Sequence, residues 1–186
     1  MSGSRRRIAP WIALAVAAVV AVLFVVLAGA DSDDVDTAAT PLLGKSAPAV
    51  SGTTLDGSTW ELTRRKGSWV VLNFFQSTCV PCKEEHPELV RFAEQQSRLG
   101  VDGAELYTIG FSDDSVEGIT NFFRDNGGDW PIVLDPRGSI GVAFGVNKVP
   151  ETWVISPDGI VVFRTISKIT ADSLSAQIQQ FREASA

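Results

Sequence analysis

The chain carries the stretch VVLNFFQSTCVPC at residues 70–82, in which an apolar run leads into a Cys-x-x-Cys pair. Residues 70–75 predict a buried β-strand, because their apolar character is nearly continuous. Residues 83–99 predict an amphipathic helix, which Cys79 opens. Unpaired backbone N–H groups and the positive end of the helix dipole lower the pKa of a thiol at this position. The stretch therefore predicts a strand that delivers a nucleophilic cysteine to a helix N-terminus.

Other uses of the two cysteines fit the sequence less well. The chain has one histidine, His86, so a four-ligand zinc site would need a carboxylate. A bridge between Cys79 and Cys82 closes a very small loop and removes little entropy from the unfolded chain, which argues against a structural staple. Haem attachment requires a histidine directly after the second cysteine, where Lys83 stands. Redox exchange is therefore the favoured reading of the pair.

The N-terminus has the pattern of a membrane anchor. Residues 8–30 are uncharged and apolar, and Arg5, Arg6 and Arg7 precede them. About 20 apolar helical residues cross a bilayer, and the positive-inside rule keeps the arginines in the cytoplasm. We therefore expect a cytoplasmic segment 1–7, an uncleaved transmembrane signal-anchor 8–30, and a single-pass protein of the cell membrane whose C-terminal domain is extracytoplasmic. A cleaved signal peptide is the alternative, because residues 28–30 resemble a cleavage site.

The remainder divides into a short linker and one domain. Residues 31–40 are small and acidic, which predicts a linker, and residues 41–186 have the size of a single domain. The formal net charge is −6, and this acidity argues against a nucleic-acid partner. Disulfides persist outside the cytoplasm, so location and cysteine use agree.

Periodicity and turn residues predict an α/β fold for this domain. A hairpin around Asp56-Gly57 precedes the strand and helix of the Cys-x-x-Cys stretch. The remaining predicted elements are a strand at 104–111, a helix ending near 126, a strand at 132–134, a helical turn at 139–144, a hairpin with strands 152–155 and 160–165, and a helix capped by Thr170. This order predicts a mixed sheet with helices on both faces.

Three segments together resemble a known family: residues 71–75, the run from Cys79 to Pro87, and Val149-Pro150-Glu151-Thr152. They are similar to the membrane-anchored, thioredoxin-fold thiol–disulfide oxidoreductases of the TlpA/ResA/DsbE type, which include the cytochrome c maturation thioredoxins. The resemblance covers residue 41 to the C-terminus. It implies a thioredoxin-like fold with an N-terminal β-hairpin extension, preceded by one transmembrane helix.

The resemblance also implies roles for individual residues. Cys79 becomes the attacking cysteine and Cys82 the resolving one, and the two form the redox-active disulfide. Pro150 becomes a cis-proline beside that disulfide, and with Val149 it binds an extended substrate. Glu85 becomes an acidic residue that tunes the thiols and moves protons, whereas a solvated glutamate that complements the helix dipole is the alternative.

Three positions depart from the family pattern. Asn73 stands where many thioredoxins carry a buried aspartate, which leaves Glu85 as the nearby carboxylate. Phe75 and Thr78 replace tryptophans that are common around the motif, so the surface offered to a partner differs. His86, four residues after Cys82, faces a thiol or covers the helix surface.

The leading functional expectation is an extracytoplasmic oxidoreductase that reduces disulfides of exported proteins, apocytochrome c among them. It would take electrons from a transmembrane donor, and it needs no cofactor or resident metal. An oxidant that installs disulfides is the main alternative. A thiol peroxidase shares the fold, but residues 76–78 lack the expected threonine and proline. A copper chaperone using Cys79, Cys82 and His86 is the non-enzymatic alternative.

Overall fold

The structure is a computed structural model that describes residues 9–28 and 38–185. It divides into two units, one containing the helix Ala9–Ala28 (α1) and the other containing residues 38–185. Within the described ranges, no helix is long and apolar enough to cross a membrane. The predicted segment 1–7, the ends of the predicted anchor 8–30 and most of the predicted linker 31–40 lie outside the described residues.

The second unit is a seven-stranded sheet with helices packed on it. Its remaining elements, in chain order, are β1 (Ser51–Thr54), β2 (Thr59–Glu61), β3 (Val70–Phe75), α2 (Val80–Arg98), β4 (Glu105–Gly110), α3 (Val116–Asn126), β5 (Ile132–Leu134), α4 (Ser139–Phe144), β6 (Glu151–Ile155), β7 (Val161–Thr165) and α5 (Ala171–Ser185). The predicted central strand and the predicted helix at Cys79 are confirmed.

The sheet order is β2-β1-β5-β4-β3-β6-β7. Strands β3, β4 and β5 are parallel, whereas β1, β2, β6 and β7 join them in antiparallel pairs. All six residues of β3 are buried, which matches their continuous apolar run. The predicted mixed sheet is confirmed, and β3 lies at its centre between β4 and β6.

The two faces of the sheet carry separate cores. Val71 and Phe75 of β3 point to the face covered by α2, α3 and α5, where they join Leu89, Phe123 and Leu174. The alternate residues of β3 point to the other face, where they pack with Ile140 and Phe144 of α4 and with Trp153. Helices on both faces are therefore confirmed, and the alternation of a strand explains how one run fills two cores.

The segment before β1 runs along the outer side of β7. Gly44 donates its backbone N–H to the carbonyl of Val161 at 2.9 Å, and the N–H of Val161 donates to the carbonyl of Lys45 at 2.9 Å. Further back, the N–H of Ala38 donates to the carbonyl of Arg164 at 2.7 Å. The chain is therefore attached to the sheet from residue 38 onward, and the segment covers backbone groups that an edge strand would expose.

Candidate functional site

The two cysteines lie where β3 leads into α2. Cys79 is the N-cap residue of α2, and it forms a disulfide with Cys82. The backbone N–H of Cys82 donates to Sγ of Cys79 at 3.2 Å. Cys79 is partly exposed, whereas Cys82 is 1% exposed. The predicted pairing is thus observed, with the first sulfur accessible and the second covered, as attacking and resolving roles require.

The loop that precedes Cys79 is fixed by a carboxylate from another element. Asp114, just before α3, accepts a hydrogen bond from the backbone N–H of Ser77. Its second oxygen accepts the hydroxyl of Ser77 at 2.6 Å. Gly118 of α3 lies so close that a Cβ there would approach Oγ of Ser77 to 2.7 Å. The loops that follow β3 and β4 therefore pack together, as neighbouring parallel strands require.

The turn that precedes β6 lies against the disulfide. The peptide bond between Val149 and Pro150 is cis, which confirms the predicted isomer. The carbonyl oxygen of Val149 lies 3.7 Å from Sγ of Cys79. Pro150 is buried, and Val149 is partly exposed. The structure therefore brings these two residues beside the attacking sulfur, while their predicted role in substrate binding stays a prediction.

Glu85, one helical turn after Cys82 on α2, is buried and held by two donors. Its carboxylate is 1% exposed. Oε1 accepts the backbone N–H of Ile169 at 2.9 Å, and Oε2 accepts Nδ2 of Asn73 at 3.0 Å. Burial raises the pKa of Glu85 to about 7, although both hydrogen bonds and the charge of Lys168 oppose the rise. Glu85 is thus an enclosed carboxyl that can bind or release a proton near neutral pH, not a solvated helix residue.

His86, the next residue of α2, contacts α3 and the residues that follow it. Its Nε2 lies 2.8 Å from the carbonyl of Gly127, and its ring contacts Phe122, Phe123 and Trp130. Nδ1 is buried without a hydrogen-bond partner, and burial lowers the pKa of the ring. Among the residues described, no cluster of three or more metal-ligating side chains is found. His86 therefore packs on the end of α3 as a neutral ring.

Several residues of the site were not predicted from the sequence. Ile169 supplies a backbone N–H, which any residue type supplies, so no sequence signal marks it. Asp114 lies in the loop before α3, and its contact with Ser77 spans 37 residues, so no local pattern marks it. Thr152 belongs to the quoted Pro-Glu-Thr segment, yet its bond to Asn73 depends on the register of β3 with β6. A polar residue inside an apolar strand, as at Asn73, was the available signal.

Comparison with known proteins places this geometry among thiol–disulfide oxidoreductases. Residues 43–164 match the model of the AhpC/TSA family. A thiol:disulfide interchange protein DsbE homolog from Paracoccus denitrificans is 35% identical over 137 residues, which cover 71% of this chain and 70% of the relative. Thiol-disulfide oxidoreductase ResA from Bacillus subtilis is 32% identical over 119 residues, which cover 64% of each.

A solved structure agrees on the fold. A putative thiol:disulfide interchange protein DsbE from Chlorobium tepidum aligns with a TM-score of 0.64 at 21% identity, covering 80% of this chain and 98% of that chain. At 21% sequence identity, this structural similarity is evidence for the fold alone. It confirms the predicted thioredoxin-like arrangement of a mixed sheet and flanking helices.

Proposed function

Because this chain belongs to the AhpC/TSA family of thioredoxin-fold proteins and is an oxidoreductase of the type named DsbE and ResA, we propose that it exchanges disulfides with other proteins through Cys79 and Cys82. The observation that carries the proposal is the unequal exposure of one disulfide. Cys79 is reachable and lies at a helix N-terminus, whereas Cys82 is enclosed. A partner disulfide therefore meets one sulfur first.

The proposed exchange has two steps. In the reduced protein, the thiolate of Cys79 attacks a partner disulfide, so one partner sulfur leaves as a thiolate and a mixed disulfide forms. The thiolate of Cys82 then attacks Sγ of Cys79, which releases the second partner sulfur and closes the Cys79–Cys82 disulfide. Two electrons pass to the partner, whose sulfurs take up two protons. Glu85 accepts the proton that the Cys82 thiol loses, because it is the buried carboxyl one helical turn further along α2.

The turn at Val149 and Pro150 is proposed to hold the partner chain. It lies beside Cys79, with the Val149 carbonyl near the attacking sulfur. An extended partner segment that hydrogen-bonds there would place its own sulfur next to Sγ of Cys79. The cost of ordering that segment is offset by backbone pairing, as in other cases where a peptide adds to a strand.

We propose reduction as the direction of exchange, with exported proteins as substrates and apocytochrome c among them. Support comes from the family resemblance of the sequence, and electrons would come from a transmembrane donor. Oxidation of exported dithiols is the alternative. The reduction potential of the full chain in glutathione or dithiothreitol buffers separates the two. A value near roughly −270 mV, as for thioredoxin, supports a reductant, and one near roughly −120 mV, as for DsbA, an oxidant.

Peroxide reduction is a second candidate, because thiol peroxidases share this fold and the family model that matches the chain is that of the AhpC/TSA family. The sequence of residues 76–78, Gln-Ser-Thr, lacks the threonine and proline expected before a peroxidatic cysteine. We therefore expect the reduced chain to react with a peptide disulfide much faster than with hydrogen peroxide. If the reduced chain reacts faster with hydrogen peroxide than with the peptide disulfide, peroxidase activity becomes the favoured function.

The location is proposed from the sequence. The apolar residues 8–30 follow three arginines, which supports a single-pass anchor with the second unit outside the cytoplasm. Protease added to intact cells should digest the second unit if it is extracytoplasmic. A protected domain, in cells whose known extracytoplasmic proteins are digested, would contradict the proposed location.

The exchange itself is tested by two matched variants. Cys79→Ala removes the attacking sulfur and should abolish exchange with an oxidised substrate. Cys82→Ala removes the resolving sulfur and should accumulate a mixed disulfide that is visible on non-reducing gels and disappears with dithiothreitol. If Cys82→Ala traps nothing while Cys79→Ala stays active, the assigned roles are wrong.

A further inference from the structure

Three buried polar side chains form a hydrogen-bonded row, with Asn73 in the middle between Glu85 and Thr152. Its Nδ2 donates one hydrogen bond to Oε2 of Glu85 at 3.0 Å and another to Oγ1 of Thr152 at 3.1 Å. Exposure is 1% for Asn73, 1% for Glu85 and 0% for Thr152. Water cannot easily replace a partner in such a place, so each member must be satisfied by the others.

The row as observed suits an ionised Glu85. Both of its oxygens face donors, because Asn73 donates to Oε2 and the backbone N–H of Ile169 donates to Oε1. A protonated carboxyl has an O–H of its own, which needs an acceptor. The backbone N–H of Ile169 cannot become one. The amide of Asn73 can, because its other end is a carbonyl oxygen.

We propose that Asn73 is a positioning residue that turns its amide over when Glu85 binds a proton, so that Oδ1 replaces Nδ2 between Glu85 and Thr152. Oδ1 then accepts from the new O–H of Glu85 and from the hydroxyl of Thr152. A hydroxyl serves as donor or acceptor, so Thr152 follows the amide by rotating its hydrogen. One proton enters from solvent, and no bond between heavy atoms changes. The bonds that join Asn73 to Glu85 and to Thr152 are thus made in both protonation states, while Nδ2 moves to the place that Oδ1 occupies in the ionised state.

The other charged groups around Glu85 have partners of their own. Lys168 lies 2.7 Å from Glu84, Arg91 lies 2.9 Å from Glu88, and Nε2 of His86 lies 2.8 Å from the Gly127 carbonyl. The Cys79–Cys82 disulfide does not titrate. The positive charge of Lys168 favours the ionised form of Glu85. The neutral pair Asn73 and Thr152 is thus left to accommodate the proton.

Thr152 offers a test that leaves the hydrogen bonds of Glu85 in place. Its hydroxyl bonds to Asn73, whereas the carboxylate of Glu85 bonds to Asn73 and Ile169. In Thr152→Val, the ionised state buries an Asn73 N–H without an acceptor. In the protonated state, Oδ1 of Asn73 loses the Thr152 donor but keeps the Glu85 donor, which costs less free energy than an unpaired N–H. We therefore expect the pKa of Glu85 to rise by about one unit in Thr152→Val. Thr152→Ser keeps a hydroxyl and should keep the wild-type value.

The measurement is a carbon-13 NMR titration of the Glu85 carboxyl in the oxidised full chain, with Glu85→Gln to assign the signal. An amide that never turns leaves the same unsatisfied N–H in both states of Thr152→Val, so an unchanged pKa would overturn the proposal. Nuclear Overhauser effects from the Nδ2 protons of Asn73 to the Thr152 methyl give a second reading in the wild type. They should weaken with the Glu85 titration, and constant intensity would also overturn the proposal.

This inference deepens the proposed function, because Glu85 belongs to the exchange site. The two can fail separately. The titration needs no substrate, so a turning amide in a chain that exchanges no disulfides would contradict only the proposed function. A chain that exchanges disulfides with a fixed Asn73 amide would contradict only this inference.

Discussion

The backbone N–H of Cys82 points at Sγ of Cys79, with the nitrogen and sulfur 3.2 Å apart. In the reduced protein, that N–H and the positive end of α2 stabilise a thiolate on Cys79. Cys82 gains no such donor from the observed geometry and is 1% exposed, which disfavours its charged form. The two thiols of the motif are therefore expected to differ in acidity.

We predict that the thiol of Cys79 titrates below the value of about 8.5 for a free cysteine, and that the thiol of Cys82 titrates above it. The variants Cys82→Ala and Cys79→Ala each leave one thiol, whose thiolate absorbance can be followed against pH. Alkylation by iodoacetamide should show the same order of reactivity. Equal values in the two variants would mean that the helix terminus has no measurable effect on Cys79.

Glu85 should make the oxidised protein less stable as pH rises. Burial raises its pKa in the folded state to about 7 from the usual 4.5. Between these values the folded state holds a proton that the unfolded state has lost, so the free energy of unfolding falls with rising pH. The fall amounts to about 3 kcal/mol across the interval.

Urea unfolding of the oxidised full chain at several pH values measures this effect. Glu85→Gln cannot ionise, so its free energy of unfolding should fall less between pH values of about 4.5 and 7. Glu94→Gln is the control, because Glu94 is an exposed carboxylate of the same helix, and it should keep the wild-type slope. If the free energy of unfolding depends on pH in the same way in the wild type and in Glu85→Gln, ionisation of Glu85 does not affect stability.

His86 should act in the opposite direction. Its ring is buried and neutral, with Nε2 on the Gly127 carbonyl, and burial lowers its pKa below the usual 6.5. Below that value the unfolded state binds a proton that the folded ring resists, so stability falls as pH decreases. In the wild type this trend partly cancels that of Glu85.

His86→Phe separates the two trends. The variant loses the bond to Gly127, so its stability should be lower at neutral pH by about 1 kcal/mol. When pH is lowered from about 7 to 5, its free energy of unfolding should also rise more, or fall less, than that of the wild type. His86 is the sole histidine of the chain, so no other imidazole contributes. If the free energy of unfolding depends on pH in the same way in the variant and in the wild type, the buried neutral ring is contradicted.

The sequence was sufficient for the elements that local patterns determine. The apolar run of β3 and the cap at Cys79 follow from residue types within a few positions of one another, and both are observed. The prediction that residue 85 is a candidate proton carrier came from the family resemblance, together with its place one turn after Cys82. Its burial could not be predicted this way, because the covering backbone at Ile169 is 84 residues away.

The same limit applies to His86 and to the row at Asn73. Whether the ring of His86 meets a thiol or another element depends on where α3 packs, and the carbonyl of Gly127, directly after α3, contacts the ring. Asn73 meets Thr152 because β3 and β6 pair with those residues opposite each other. Strand register and helix packing are set by the whole core, so they are not written in any short motif.

The contact between Ser77 and Asp114 should control how well the loop before Cys79 is ordered. Asp114 accepts both the backbone N–H and the hydroxyl of Ser77. Asp114→Ala leaves both donors without this acceptor, which should lower the free energy of unfolding by about 1–3 kcal/mol. The loop should also open more often, so the amide hydrogen of Ser77 should exchange with solvent faster, and disulfide exchange should slow.

Two controls separate the contact from charge alone. Ser77→Ala removes the hydroxyl bond and keeps the backbone bond, so it should cost less stability than Asp114→Ala. Asp113→Asn removes a neighbouring exposed charge and should leave stability and exchange rate unchanged. Equal losses in Asp114→Ala and Asp113→Asn would assign the effect to the acidic character of the loop. Retained activity with fast amide exchange in Asp114→Ala would mean that disulfide exchange does not require an ordered loop before Cys79.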